Sequence, residues 1–148
     1  MKNFNALVGV GKVGAMFFVL LAFCFALAGD VPFNGASSGN FAFTSQTTAT
    51  VDSYGHATIV GPFRSHEDLT VNATGGVTGE IDWMAADGSV MTAQVNGQFT
   101  SATSVEGTYT VTGGTGRFEG AAGTANFVAN ITGPDTVSAS FTGTLSSH

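Results

Sequence analysis

Apolar and polar residues alternate with a period of two through most of the chain that follows residue 28. In residues 137–145 the odd positions are apolar or small, and serine or threonine occupies every even position. Odd apolar positions recur in residues 69–73, 81–83, 91–99, 105–111 and 127–131. Successive side chains of a β-strand point to opposite faces of the sheet. The pattern therefore predicts strands with one face in a core and the other in water.

Turn-forming residues separate these segments, at positions 52–55, 75–76, 87–88, 113–116 and 133–135. Asp87-Gly88 indicates a two-residue hairpin loop, because both central positions of a type I′ turn need positive φ. No segment after residue 28 has a helical stripe of useful length. The spacing predicts an all-β fold of about eight antiparallel strands in meander order, which can close into a barrel or split into two packed sheets. We favour the barrel, since closure removes sheet edges that here carry few charged residues.

The first 28 residues have the order of a secretory leader. Two lysines accompany an apolar run over residues 15–28, which ends on the small residues of a cleavage site at Ala26 and Ala28. The run is shorter than the roughly 20 residues that span a bilayer, which disfavours the alternative of an uncleaved anchor. We therefore expect a signal peptide over residues 1–28, one domain over residues 29–148, and a secreted or periplasmic location.

The net charge of this domain limits the partners it can bind, and its cysteine content limits how it can be stabilised. Ten carboxylates and two arginines remain once the leader is removed, which leaves a net charge of −8. So few cations cannot neutralise a phosphate backbone, and nucleic acid is therefore excluded as a partner. Cys24, the only cysteine, lies in the leader, so the mature domain must be stable without a disulfide.

Residues 107–123, which contain the text GGTGRFEGAAG, are similar to a hairpin of a known superfamily. The segment resembles one found in dirigent proteins, in allene oxide cyclase-like barrels, and in uncharacterised bacterial secreted proteins. Residues 55–63 also resemble a strand of those bacterial proteins. The resemblance implies an eight-stranded antiparallel barrel, with a homo-oligomer as one expectation. It does not carry an active site, because the polar cavity residues of those families cannot be placed on this sequence.

The composition of the hairpin has a physical explanation of its own. Gly113, Gly114 and Gly116 provide backbone conformations that residues with a Cβ avoid, and Phe118 returns a ring to the core after the turn. Gly123 permits close packing where the next strand begins. A phosphate-binding loop is disfavoured, because such a loop normally opens a helix and carries a lysine.

Four amphipathic side chains are the candidates for a ligand cavity inside the barrel: Tyr54, His56, Trp83 and Tyr109. The alternative is that they fill the core, as side chains usually do in a small barrel. The run His66-Glu67-Asp68 is interpreted as a solvated loop, and Glu80 and Asp82 as the wet face of a strand. None of these residues has the spacing of a metal site, and no cofactor is expected.

Three functions are compatible with the sequence. The first is an exported, non-catalytic barrel that binds a small apolar ligand or an envelope component, and we favour it. The second is a dirigent-like or cyclase-like barrel that orients a reactive small molecule. The third is a structural or adhesive surface protein with a filled core. A cavity lined by Tyr109, Trp83 and a buried carboxylate would favour the second function, an empty apolar cavity the first, and a filled interior the third.

Overall fold

Alternating segments form eight strands in the computed structural model, which describes residues 29–146. A single 3₁₀ turn, Gly116–Phe118, lies between the sixth and seventh strands. The predicted signal peptide lies outside the described residues. Within residues 29–146 no helix is long and apolar enough to cross a membrane. The strands are β1 (Val31–Phe43), β2 (Thr48–Ala57), β3 (Gly61–Val71), β4 (Gly76–Ala85), β5 (Val90–Ser101), β6 (Ser104–Gly114), β7 (Ala122–Ile131) and β8 (Thr136–Ser146).

Each strand pairs antiparallel with the next, and β8 pairs back onto β1, so that the sheet closes into a barrel. This confirms the predicted eight-stranded antiparallel barrel and excludes two packed sheets. Because the chain runs as a meander, its connections fall at two ends. The connections β1–β2, β3–β4, β5–β6 and β7–β8 lie at what we call the open end. The connections β2–β3, β4–β5 and β6–β7 lie at what we call the closed end.

Odd-numbered residues face the interior and even-numbered residues face outward in the strands, except at the end of β6, where a bulge pairs Gly114 with the inward Met91. Glu80 and Asp82 accordingly lie on the outer face, as predicted. The Thr92 hydroxyl donates a hydrogen bond of 2.6 Å to Asp82, and the Gln94 amide donates one of 3.2 Å to Glu80. The alternation read from the sequence therefore assigns the two faces correctly.

Aromatic rings fill the interior from its middle to the closed end. Trp83 is 1% exposed and meets Phe33 and Tyr109 edge to face, with ring centroids 5.5 and 5.1 Å apart. Phe141 packs against the same rings, and Phe118 seals the closed end. Phe99, which the alternation also places inside, is only partly buried near the open end. The inward rings therefore do not all share one core.

Two predicted turns differ from the structure. Residues 52–55 lie inside β2, where Gly55 packs against β1 so closely that an added Cβ would meet the Ala36 carbonyl oxygen. At the β4–β5 connection only Gly88 has positive φ, and its amide donates to the Ala85 carbonyl at 3.0 Å. This is a four-residue connection, residues 86–89, that contains a left-handed glycine rather than a two-residue type I′ turn.

The predicted turn glycines of the β6–β7 connection play two roles. Gly113, Gly116 and Gly123 have positive φ, which only glycine adopts readily. Gly114 does not, but an added Cβ there would meet the Val90 carbonyl oxygen. Phe118 ends the 3₁₀ turn and is buried, as the sequence predicts for its ring.

Arg117 joins the three connections of the closed end. Its guanidinium donates to the carbonyl oxygens of Ile59 and Val60, the second at 2.8 Å, and to the Asp87 carboxylate at 3.1 Å. Ile59 has a φ of +73°, which is strained for a β-branched residue. Hydrogen bonds from a charged donor hold this strained turn in place. Arg117 thus connects the two segments, 55–63 and 107–123, that carry the sequence resemblance.

We expect Arg117→Met to lower the free energy of unfolding by about 1–3 kcal/mol, because two carbonyl oxygens and a carboxylate lose a charged donor. Arg64→Met is the matched control, since Arg64 lies on the outer wall and only covers the Tyr54 ring, 5.2 Å from its centroid. It is expected to change stability by less than ~0.5 kcal/mol. Urea denaturation of both variants measures the difference, and equal losses would contradict this role of Arg117.

Candidate functional site

A cavity of about 100 Å³ occupies the barrel interior near the open end. Its floor lies at the middle of the barrel and its mouth at the open-end connections. Phe43 stands at this mouth, 61% exposed, and meets Phe41 edge to face. The wall is almost entirely apolar, and its polar members are Ser37, Ser53, Glu67 and Tyr109.

Side-chain size explains why the cavity lies at this end. Odd positions near the open end carry small residues that leave the centre of the barrel unfilled, among them Ser37, Ala49, Ser53, Ala129 and Ala139. The odd positions toward the closed end carry the large rings described above. Eight strands fix one interior width, so smaller inward side chains leave space.

Glu67 is the only carboxylate that the described strands point into the interior. It lies in the middle of β3, beside Val51 of β2 and Ile81 of β4 in the strand register. The side chain is partly buried, and it borders the cavity. None of the side-chain hydrogen bonds within residues 29–146 involves its carboxyl group. Burial raises the pKa of Glu67 from its ordinary value of 4.5 to about 7, although the nearby charge of His66 acts in the opposite direction.

Tyr109 of β6 forms part of the cavity floor. Its ring stacks on Phe127 with centroids 4.4 Å apart and meets Trp83 edge to face. Burial, and next the charge of Glu67, raise the pKa of Tyr109 well above its ordinary value. The phenol therefore keeps its proton across the physiological range and can donate a hydrogen bond into the cavity.

The arrangement offers a limited chemistry. A carboxyl group whose pKa lies near 7 can accept or donate a proton at neutral pH, and the phenol that borders the same cavity can donate a hydrogen bond. Among the described residues, no group of three or more histidine, cysteine or acidic side chains is placed to hold a metal ion. The site is thus an apolar cavity with one group, Glu67, whose pKa lies near neutral pH.

The four predicted ligand-binding residues are not brought together. Tyr109 borders the cavity, whereas Trp83 lies in the packed core behind it. Tyr54 and His56 occupy even positions of β2 and are exposed on the outer wall. The expectation that all four residues line one cavity is therefore wrong for Tyr54 and His56. A ligand role for Trp83 and Tyr109 stays a prediction.

Glu67 was missed because the run His66-Glu67-Asp68 looks like a polar loop. The run instead lies inside β3, where alternation sends Glu67 inward and its two neighbours outward. His66 points outward and lies close to two carboxylates. Its Nδ1 is 2.7 Å from the Asp52 carboxylate, and its Nε2 is 3.5 Å from the Asp68 carboxylate. The hydrogen bond with Asp52 is the main cause that raises the pKa of His66. The sequence does hold a signal for Glu67, since Phe63 on one side and the apolar residues of 69–73 on the other lie in the same odd phase.

No protein-family model and no curated protein sequence matches the chain. Four chains of known structure match it. Among these similar structures is a pterocarpan synthase dirigent protein, with a TM-score of 0.48 and 14% sequence identity over 81% of this chain and 88% of that one. The barrel itself follows from the strand pairing described above. The resemblance of residues 107–123 to the bacterial secreted proteins stays a prediction.

Glu67 is expected to make the protein less stable as the pH rises. Its pKa is raised in the folded state, so the folded chain binds the proton more tightly than the unfolded chain. The free energy of unfolding should fall by up to ~3 kcal/mol between pH 4.5 and pH 7. His66 has a raised pKa and acts in the same direction. Comparison of wild type with Glu67→Gln at each pH isolates the effect of Glu67.

Thermal melts from pH 5 to pH 8 measure this effect. Glu67→Gln should melt higher than wild type at pH 8 and show a smaller decrease across the series. Glu80→Gln, which removes a carboxylate from the outer wall, should follow the wild-type profile. A parallel decrease in all three proteins would show that Glu67 does not titrate inside the barrel.

Proposed function

We propose that this protein is an exported barrel that binds a small, mainly apolar molecule in the cavity at its open end. One observation carries the proposal: an apolar wall surrounds a carboxyl group that has no hydrogen-bond partner among the described residues. A carboxyl group on an apolar cavity wall is poorly solvated and lowers stability, whereas an aliphatic residue would line the same wall without that cost. Polar groups of this kind are typical of ligand cavities, where they fix the orientation of an otherwise apolar ligand.

The dimensions of the cavity limit the ligand. A closed apolar cavity of about 150 Å³ holds benzene in another protein. A cavity of about 100 Å³ with an open mouth therefore suits one ring or a short chain whose far end extends past Phe43. The Glu67 carboxyl and the Tyr109 hydroxyl are placed to hydrogen-bond the inserted end. The unfilled interior does not favour the alternative of an adhesive protein with a filled core.

A second candidate function is the orientation of a reactive small molecule, as in the dirigent-like and cyclase-like alternative. The observation in its favour is the pair formed by Glu67 and Tyr109 on the cavity wall. A carboxyl group that titrates near pH 7 and a protonated phenol on the same cavity wall are suited to move a proton on a molecule held in the cavity. Binding is common to both functions, and it is tested first.

The test measures binding of an uncharged single-ring probe, 2-phenylethanol, by isothermal titration calorimetry. Wild type is expected to bind it with a dissociation constant on the order of 1 mM or below. Ala129→Phe places a ring in the cavity and should weaken binding at least about tenfold, since the ring occupies the space of the probe. Val128→Phe is the matched control, because residue 128 precedes Ala129 on the same strand but points outward.

Both variants are first checked by circular dichroism, so that a loss of binding is not a loss of fold. Binding that is equal in Ala129→Phe, Val128→Phe and wild type would contradict a site in the cavity. Absence of binding in wild type would contradict the proposed function for ligands of this size.

A further inference from the structure

The open end of the barrel carries negative charge and no positive charge within the described residues. Its four connections contain a single charged residue, Asp135, which is exposed. Arg117 is held at the closed end by Asp87, and Arg64 lies on the outer wall. A molecule that approaches the mouth therefore meets a field that attracts cations.

The inner wall of the barrel likewise carries no positively charged side chain in the described strands. Glu67 and Tyr109 are the only titratable side chains that the described strands direct inward, and the remaining polar groups bordering the cavity are the hydroxyls of Ser37 and Ser53. No lysine, arginine, histidine, asparagine or glutamine occupies an inward position of these strands. The charged neighbours of Glu67 on its own strand, His66 and Asp68, point outward. An anion in the cavity would thus lack a charged donor and would lie beside a carboxyl group.

We propose that the cavity selects a protonated amine with a small apolar body, and that it rejects apolar carboxylic acids. This inference rests on the proposed function and names the class of its ligand. The ammonium group enters first and binds the Glu67 carboxylate, with hydroxyl groups of the wall as further acceptors. The apolar body fills the outer part of the cavity and contacts the Phe41 and Phe43 rings at the mouth.

The chemistry of an ammonium group fits this wall. It has three donors and no acceptor, and the wall offers oxygen acceptors around one carboxylate. Charge-assisted hydrogen bonds of this type are stronger than neutral ones, particularly where water is scarce. An aromatic rim also favours a cation through its ring faces. A carboxylate ligand would place two like charges together, which binds only if one of them takes up a proton.

Binding of the amine should be linked to the protonation of Glu67. The pKa of Glu67 is about 7, so the carboxylate that the ammonium group needs is a minor form at pH 6 and the major form at pH 8. An ammonium group favours the ionised form and lowers this pKa, so binding near neutral pH releases a proton. The affinity should therefore rise about tenfold from pH 6 to pH 8.

Three single-ring probes that differ in charge test the inference: 2-phenylethylamine, 2-phenylethanol and 3-phenylpropanoate. Calorimetry at pH 7.5 is expected to give at least about tenfold tighter binding of the amine than of the alcohol, and the weakest binding for the carboxylate. Glu67→Gln should bring the amine within about threefold of the alcohol and remove the pH dependence. Glu80→Gln, on the outer wall, should preserve both.

The outcomes separate this inference from the proposed function. If the alcohol binds but the amine binds no tighter, or if the carboxylate binds as well as the amine, the amine selectivity is wrong and the binding function stands. If the preference for the amine persists in Glu67→Gln, the assignment of its partner is wrong. If none of the three probes binds, both proposals fail.

Discussion

The pairing of β8 with β1 is the interaction on which the rest of this structure depends. Closure gives the sheet a single interior, and the strand number fixes its width. The inward positions of all eight strands must then share that interior, whatever their side chains. Large rings such as Trp83 and Phe141 fill it toward the closed end, and small residues leave it unfilled toward the open end. The packed core and the cavity thus both follow from the closure of the barrel.

The same constraint accounts for the inward position of Glu67. A strand that slipped by one residue would turn Glu67 to water, but it would also expose the other odd positions of β3, including Phe63. The register is therefore held by the apolar side chains, and the carboxyl group is kept inside by its neighbours. At the closed end, hydrogen bonds of Arg117 hold three connections together. The cavity lies at the opposite end, so that its mouth is separate from the packed rings.

Much of the fold could be predicted from the sequence, because alternation survives in nearly every strand. It assigned the outward positions of Glu80 and Asp82 and the inward positions of Trp83 and Tyr109. The predictions that the structure contradicts failed for physical reasons. Residues 52–55 have turn composition, yet Gly55 serves a close approach of two strands. The sequence pattern places Glu67 in a loop because two inward positions of β3, Ser65 and Glu67, are themselves polar, so residues 64–68 show no apolar period. The unfilled space near Ala129 and Ala139 depends on packing across the barrel, which a linear pattern does not contain.

The protonation of Glu67 inside the cavity is the central claim, and one measurement tests it directly. Carbon-13 labelling of the glutamate side-chain carboxyls allows the pKa of each to be followed by nuclear magnetic resonance from pH 4 to pH 9. We expect one carboxyl resonance to titrate at about 7 and to be missing from Glu67→Gln. The account is contradicted if no glutamate resonance titrates near neutral pH, or if the resonance that does so persists in the variant.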